Sequence, residues 1–365
     1  MQKIKVGISH GDVNGVAYEV ILKTFANEDM LSICTPVLFG SPKVLAYYKK
    51  IVNNSPNFNV ISKIEAARDN QLNVVDCFAD AEIKIETGQP SKEAGDAAFI
   101  ALEAAVNALK NKHIDVLVTA PINKNTIQRN GFTFPGHTEY IEKKLGNGKQ
   151  ALMILMNKDI RVALVTTHLP VAKIAEKITK QEIETKLTIL NESLKRDFSI
   201  DNPRIAVLAL NPHCGDNGLI GTEEKEIIQP AIEELFKNGI RCFGPYPADG
   251  FFGAGGYKNF DAILAMYHDQ GLAPFKALAM EDGVNFTAGL PVVRTSPAHG
   301  TAYDIAGQCI ADPNSFRQAI FAAIDIYRNR IRFDEANSNP LKKQYYDKKD
   351  DSDKLKLDQV SEDDL

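Results

Sequence analysis

Residues 91–123 read SKEAGDAAFIALEAAVNALKNKHIDVLVTAPIN. The first two-thirds is rich in alanine, with apolar residues returning at helical spacing, and predicts one long helix. IDVLVT is apolar and β-branched and predicts a strand, which empties into a turn at Pro121 and Asn123. A helix feeding a strand that ends in a polar turn is one unit of an α/β fold.

The unit recurs in both directions. Upstream, KIKVGIS (3–9) predicts the first strand, HGDVNG (10–15) a turn, and Val16 to Phe25 a helix. TPVLFG (35–40) and LNVVDCF (72–78) predict strands around a helix over 41–52, with Ser41 as cap and Pro42 in its first turn, and a loop over 53–59. Downstream, residues 151–170 (ALMILMNKDIRVALVTTHLP) predict two strands about an Asn157–Asp159 hairpin, hence one antiparallel pair. A helix over 179–197 carries the capping pattern Thr179…Glu182, PRIAVLALNPH (203–213) is a strand, and Thr222 caps a helix ending at Asn238-Gly239. DAILAMYHDQ (261–270) and GVNFTAGLPVVRTSP (283–297) read as strand-rich, and residues 312–333 as the last helix. Strand and helix alternating throughout predict a layered α/β fold with helices on both sheet faces. Functional groups in such folds stand in the loops after strands. The polar motifs HGDVNG, TAPINK, TTHLP, NPHCGDNG, YHDQG and RTSPAHG all do so.

Composition narrows the function. The 365 residues carry a net charge of −5, which gives nucleic acid no electrostatic hold. The five cysteines are scattered without a CxxC pair, which argues against a disulfide framework and for a reducing compartment. No signal-peptide pattern opens the chain, and apolar runs fall short of a membrane span of ~20 residues. A cytoplasmic protein with no membrane partner is expected. From about Asn337 to Leu365 dense mixed charge replaces apolar periodicity, predicting a disordered or loosely docked tail.

Three histidines share one kind of position. His168, His213 and His268 each follow an apolar strand, so their imidazoles can converge if the strands share a sheet. Three imidazoles with open positions suit a catalytic divalent ion. Asp249 and Asp269 are candidates for further ligands or their supports, with Asp269 equally readable as a turn residue. FPGHTEY (134–140) sets His137 and Thr138 at a helix start, a seat for phosphate or carboxylate, although Thr138 also reads as a plain N-cap. Lys276, Asn285 and Arg294 lie on or beside apolar strands, where a cation is costly unless an anion meets it. HGTAYDIAG (299–307) places glycines around a polar turn that fits neither GxGxxG nor a P-loop, so any nucleotide there needs another device.

These motifs together, FPGHTEY, TTHLP, LNPHCGDNGLIGTEE, YHDQG, GVNFTAGLPVVRTS and HGTAYDIAG, resemble the 4-hydroxythreonine-4-phosphate dehydrogenase (PdxA) family from about Lys3 to Phe333. HGTAYDIAG followed by CIADP is also similar to the adenosine loop of isocitrate and isopropylmalate dehydrogenases. The resemblance implies their two-domain α/β/α sandwich with a mixed, mostly parallel sheet. It divides the chain into 1–130 plus 280–336, and 131–279, with the site in the cleft between.

The resemblance further implies a homodimer whose site lies at the interface. His168, His213 and His268 match the family's ligands to one divalent ion (zinc, magnesium or cobalt). His137, Thr138, Lys276, Asn285 and Arg294 match its substrate positions. His299, Gly300, Ala302 and Asp304 are the candidates for the adenosine end of NAD or NADP. The implied reaction is oxidation and decarboxylation of 4-phosphooxy-L-threonine to 3-amino-2-oxopropyl phosphate in vitamin B6 biosynthesis. Lys276 is the expected proton acceptor and Asp249 the alternative. The same chemistry on a phosphorylated threonate or erythronate, or a phosphate acyltransferase of similar fold, are the competing expectations. GDVNGVAYE departs from the family's usual GDPNGIG, with Val13 for a proline and Ala17 for a glycine, which touches only local turn geometry.

Overall fold

The structure, a computed structural model, describes residues 3–78, 83–128 and 132–339. Its strands are β1 (Ile4–Ser9), β2 (Cys34–Gly40), β3 (Phe58–Ile61), β4 (Leu72–Asp76), β5 (Val116–Thr119) and β6 (Leu152–Met156). They continue with β7 (Arg161–Leu164), β8 (Ile205–Leu208), β9 (Cys242–Tyr246), β10 (Ala262–Ala265), β11 (Val284–Ala288) and β12 (Arg294–Pro297). Among the described residues all twelve join one sheet in the order β3-β4-β2-β1-β5-β12-β11-β6-β7-β10-β8-β9. The pairs β12–β11, β11–β6 and β6–β7 are antiparallel, and the other pairs are parallel. The fold is therefore a mixed, mostly parallel α/β sheet, and its chain direction switches at the centre. The hairpin expected at Asn157 is the β6–β7 turn, where Asn157 Oδ1 accepts from the amides of Asp159 and Ile160.

The central strands are apolar because both sheet faces are covered. On β5, Val116 and Val118 fall in one core cluster and Leu117 in another, all fully buried. Helices Ala17–Phe25, Lys180–Arg196 and Asn314–Asn337 supply the first cluster; helices Lys92–Lys110 and His137–Leu145 supply the second. Ser41 and Thr179 cap their helices with a side-chain oxygen, as their spacing predicts, and Ser91 does the same for helix Lys92–Lys110.

Three local expectations change. Residues His268–Gln270, expected at the end of a strand-rich run, instead open helix His268–Ala279, so Lys276, expected on or beside a strand, stands on a helix facing the cleft. Pro274 lies within that helix's second turn, and the apolar run is helical because Leu272, Phe275 and Ala279 pack onto the sheet as one stripe. Thr222 makes no side-chain cap: its carbonyl accepts the Glu226 amide, and a wide turn over Glu224–Ile228 precedes helix Gln229–Lys237. Pro230 lacks an N–H, and the wide turn absorbs the lost bond. The edge strands β3 and β9 were not expected from sequence; they are short and hold Asn, Gly and Pro, which edges tolerate. The charged tail from 340 onward lies outside the described residues.

One contact ties this frame to the site. A Cβ on Gly95 of helix Lys92–Lys110 would come within 2.2 Å of the Thr126 carbonyl oxygen, in the short helix Lys124–Ile127 after β5. Gly95→Ala should lower unfolding free energy by ~1–3 kcal/mol, despite alanine's helix propensity, because overpacking against backbone outweighs it. Urea denaturation checks this; equal or greater stability would contradict the close approach.

Candidate active site

The centre of the sheet sets the first group. Arg294 opens β12 opposite Leu117 of β5, which brings it beside Thr119, two residues further along the same face. The residue is 2% exposed. Its Nε and Nη2 donate to Thr119 Oγ1 at 3.1 and 2.6 Å, and Nη1 donates to Thr287 Oγ1 of β11 at 3.2 Å. None of these bonds goes to a carboxylate. Burial pushes the guanidinium down to about 10, opposed by Glu139, so it stays charged at neutral pH. A buried cation bonded only to hydroxyls is costly until an anion meets it.

Arg294 stands in a cleft of about 290 Å³, shared with Lys124, His137, Thr138, His168, His268, Lys276, Asn285, His299 and Gly300. Helix His137–Leu145 points its first turn there, and Gly136 before it offers no side-chain cap. The amides of His137 and Thr138 at its start therefore meet no capping side chain from Gly136 and can face an anion, while the Glu139 amide is met by its own carboxylate. His137 Nε2, Asn285 Oδ1 and His299 Nε2 are buried without a hydrogen-bond partner among the described residues. Burial, with Arg294 and Lys124 adding to it, holds His137 well below the usual imidazole range, so it is neutral. A cleft with unpaired cations, free amides and orphaned polar atoms is built for a polar, anionic ligand.

The strand-exit histidines come from one sheet edge, since β7, β10 and β8 are parallel neighbours. His168 and His268 line the cleft with ring centroids 6.1 Å apart. The Nδ1–H of His268 donates to Asp269 Oδ1 at 2.7 Å, which leaves Nε2 with its lone pair. Glu139 Oε1 lies 3.7 Å from His168 Nδ1, and Lys124 Nζ donates to His168 Nε2 at 3.0 Å. Burial alone would raise Glu139, but His168 and Lys124 outweigh it and hold the carboxyl below its ordinary value. His268 Nε2, with Asp269 behind the ring, is one donor suited to a divalent ion, whereas His168 Nε2 already meets the Lys124 ammonium, which must move before that nitrogen can bind a metal.

His213 and Asp249 do not join them. They line a neighbouring cavity of about 550 Å³ with Asn211, Tyr267, Asp269 and Gln270. Among the described residues no three His, Cys, Asp or Glu side chains converge as a metal site. One chain thus brings two of the three candidate histidines together and turns the third outward. His213 to Asn217 all have positive φ (53, 55, 77, 45 and 56°). A non-glycine residue there costs on the order of 1 kcal/mol, so the turn is sustained by its surroundings.

A family model described as pyridoxal phosphate biosynthetic protein PdxA matches residues 32–323. The chain belongs to the PdxA family. It is 63% identical over 99% of both chains to the 4-hydroxythreonine-4-phosphate dehydrogenase of Bacteroides thetaiotaomicron. It is 39% identical to the D-threonate 4-phosphate dehydrogenase of Cupriavidus necator, over 89% of this chain and 98% of that one. The crystal structure of 4-hydroxythreonine-4-phosphate dehydrogenase from Klebsiella pneumoniae superposes with a TM-score of 0.76 at 32% identity, covering 90% of this chain and 98% of that one.

Within this PdxA-family chain, HGDVNG is the structural turn its sequence suggested, and it holds the HGTAYDIAG loop. Asp12 Oδ2 accepts from the Tyr303 hydroxyl at 2.7 Å, and the Val16 amide donates to the Thr301 carbonyl at 3.0 Å. The buried carboxylate of Glu19 accepts from the amides of Gly307 and Cys309. His299 and Gly300 reach the cleft; Ala302, in the left-handed region at φ 47°, and the exposed Asp304 lie outside its lining. Sequence reading missed Lys124 and Glu139. Both sit inside motifs it marked, TAPINK and FPGHTEY, but only the packing of β5 and helix His137–Leu145 against His168 reveals them.

Proposed function

We propose that this PdxA-family dehydrogenase oxidises and decarboxylates 4-phosphooxy-L-threonine with NAD or NADP, yielding 3-amino-2-oxopropyl phosphate, CO2 and the reduced nicotinamide, in cytoplasmic vitamin B6 biosynthesis. The observation that carries it is the buried, carboxylate-free Arg294 in one cleft with the His168–His268 pair. Anion recognition and metal-type donors thus face the same ligand.

In this reading Arg294, Lys276, Asn285, His137 and Thr138 hold the phosphate and carboxylate and fix C3. His168 and His268, joined by His213, would hold the divalent ion (zinc, magnesium or cobalt), which would supply the positive charge that makes the C3 hydroxyl more acidic. The outward turn of His213 into a cavity with Asp249 suits completion of the site by a second copy, in a homodimer. His299, Gly300, Ala302 and Asp304 take the adenosine end of the dinucleotide, on a loop pinned by Asp12 and Glu19. The halves 1–130 with 280–336, and 131–279, both line the cleft.

The chemistry balances with one proton acceptor. Lys276, with Asp249 the alternative, would take the hydroxyl proton, and the dinucleotide would supply the acceptor for the C3 hydride. The resulting 3-keto acid breaks its C1–C2 bond, CO2 leaves, and C2 takes a proton. The neutral His137 donates or accepts a hydrogen bond without adding charge to the anion site. Burial of Arg294 excludes water from the strongest cation, which strengthens its hold.

NADH formation should be seen with 4-phosphohydroxythreonine, be at least tenfold weaker in kcat/KM with phosphothreonate, and be abolished by chelator. A preference for phosphothreonate would favour the activity named for the Cupriavidus relative, and activity unaffected by chelator would overturn the metal role.

A further inference from the structure

Glu224 is 5% exposed, and none of the roles above uses it. Its Oε1 accepts from the backbone amides of Leu210 at 2.8 Å and Asn211 at 2.7 Å. Its Oε2 accepts from Asn211 Nδ2 at 3.0 Å, and the same amide nitrogen donates to Glu223 Oε2 at 2.8 Å. Leu210 and Asn211 are the residues that lead from β8 into the left-handed run beginning at His213. The run lies against this carboxylate. A Cβ on Gly215 would sit 2.8 Å from Glu224 Oε2 and 2.5 Å from the Gly221 carbonyl oxygen.

Five successive left-handed residues do not hold themselves, because L-residues leave that region when released. Inside the run and just after it, the Leu219 amide bonds to the Asp216 carbonyl and the Ile220 amide to the Gly215 carbonyl. The entry is closed by Glu224 and Asn211. We propose that Glu224 is the positioning residue for His213: its carboxylate clasps the entry to the left-handed turn and so aims the imidazole. This rests on the reading of His213 as a ligand to the divalent ion. The role needs a carboxylate. One oxygen serves two amide N–H groups while the other faces the Asn211 amide nitrogen, so glutamine would set an NH2 against an N–H donor.

The test is a Co2+ titration of the full-length protein, read by its visible d–d absorption without turnover. Glu224→Gln should weaken Co2+ binding ~10–100-fold, the range for groups that orient metal ligands, with circular dichroism unchanged. Asn211→Ala, which removes the side-chain half of the clasp, should weaken it on the order of tenfold. His213→Ala is the control for the underlying reading. If His213→Ala weakens Co2+ binding and Glu224→Gln, folded, does not, the clasp is overturned and the ligand reading stands. If His213→Ala itself leaves binding unchanged, the ligand reading fails. If Glu224→Gln does not fold, Asn211→Ala decides, and wild-type Co2+ affinity in that variant overturns the proposal.

Discussion

Arg294→Met should lower kcat/KM by roughly 10²–10³-fold while leaving the protein as stable as before, or more so. The two effects have one cause. Arg294 is buried and bonded to Thr119 and Thr287 hydroxyls, without a carboxylate to offset its charge. In the free protein the guanidinium is a cost, and an apolar chain of similar length removes it. With an anionic ligand, losing one partner of a buried charge pair costs ~2–5 kcal/mol, which is the rate loss expected. Steady-state kinetics and a urea midpoint separate the effects. A fall in stability parallel to the fall in activity would mean that Arg294 serves the core rather than a ligand.

Asp197→Ala should do the reverse: a loss of ~3–5 kcal/mol in stability, with kcat/KM of the folded fraction unchanged. Asp197 and Arg330 form a buried ion pair, Nε to Oδ1 at 2.6 Å, with side chains 3% and 7% exposed. The Ser193 hydroxyl donates to Asp197 Oδ2 at 2.6 Å, and Arg330 Nη1 donates to the Leu290 carbonyl at 3.1 Å. The network joins the end of helix Lys180–Arg196, the turn after β11 and the C-terminal helix Asn314–Asn337. Removing the carboxylate leaves the guanidinium buried and unpaired, the costly half of a broken pair. Urea denaturation measures it, and a loss below ~1 kcal/mol would show that solvent reaches Arg330.

Much of the fold was legible because each local device has its own signature. Ser41 and Thr179 cap helices by short-range bonds that spacing alone predicts. The strand over Val116–Thr119 is buried at every position and apolar at the first three because both faces are covered. The segment at His268 follows an apolar run much like that of β5, yet it folds as a helix. A short apolar run does not reveal its period until it is known what lies beneath it.

The site divides along the same line. The amino-acid order by itself determined the alternating α/β plan, the polar turns after strands, and which residue types stand in them, including Arg294, the His137–Thr138 pair and the three strand-exit histidines. These depend on local pattern and chemical type. Only the tertiary structure decided that His168 and His268 share a cleft while His213 turns to another, that Lys124 and Glu139 flank His168, and that Glu224 closes the left-handed turn. Those relations join residues far apart in the chain through strand order, register and side-chain direction. Each is set by how the elements pack together, and no single segment carries it.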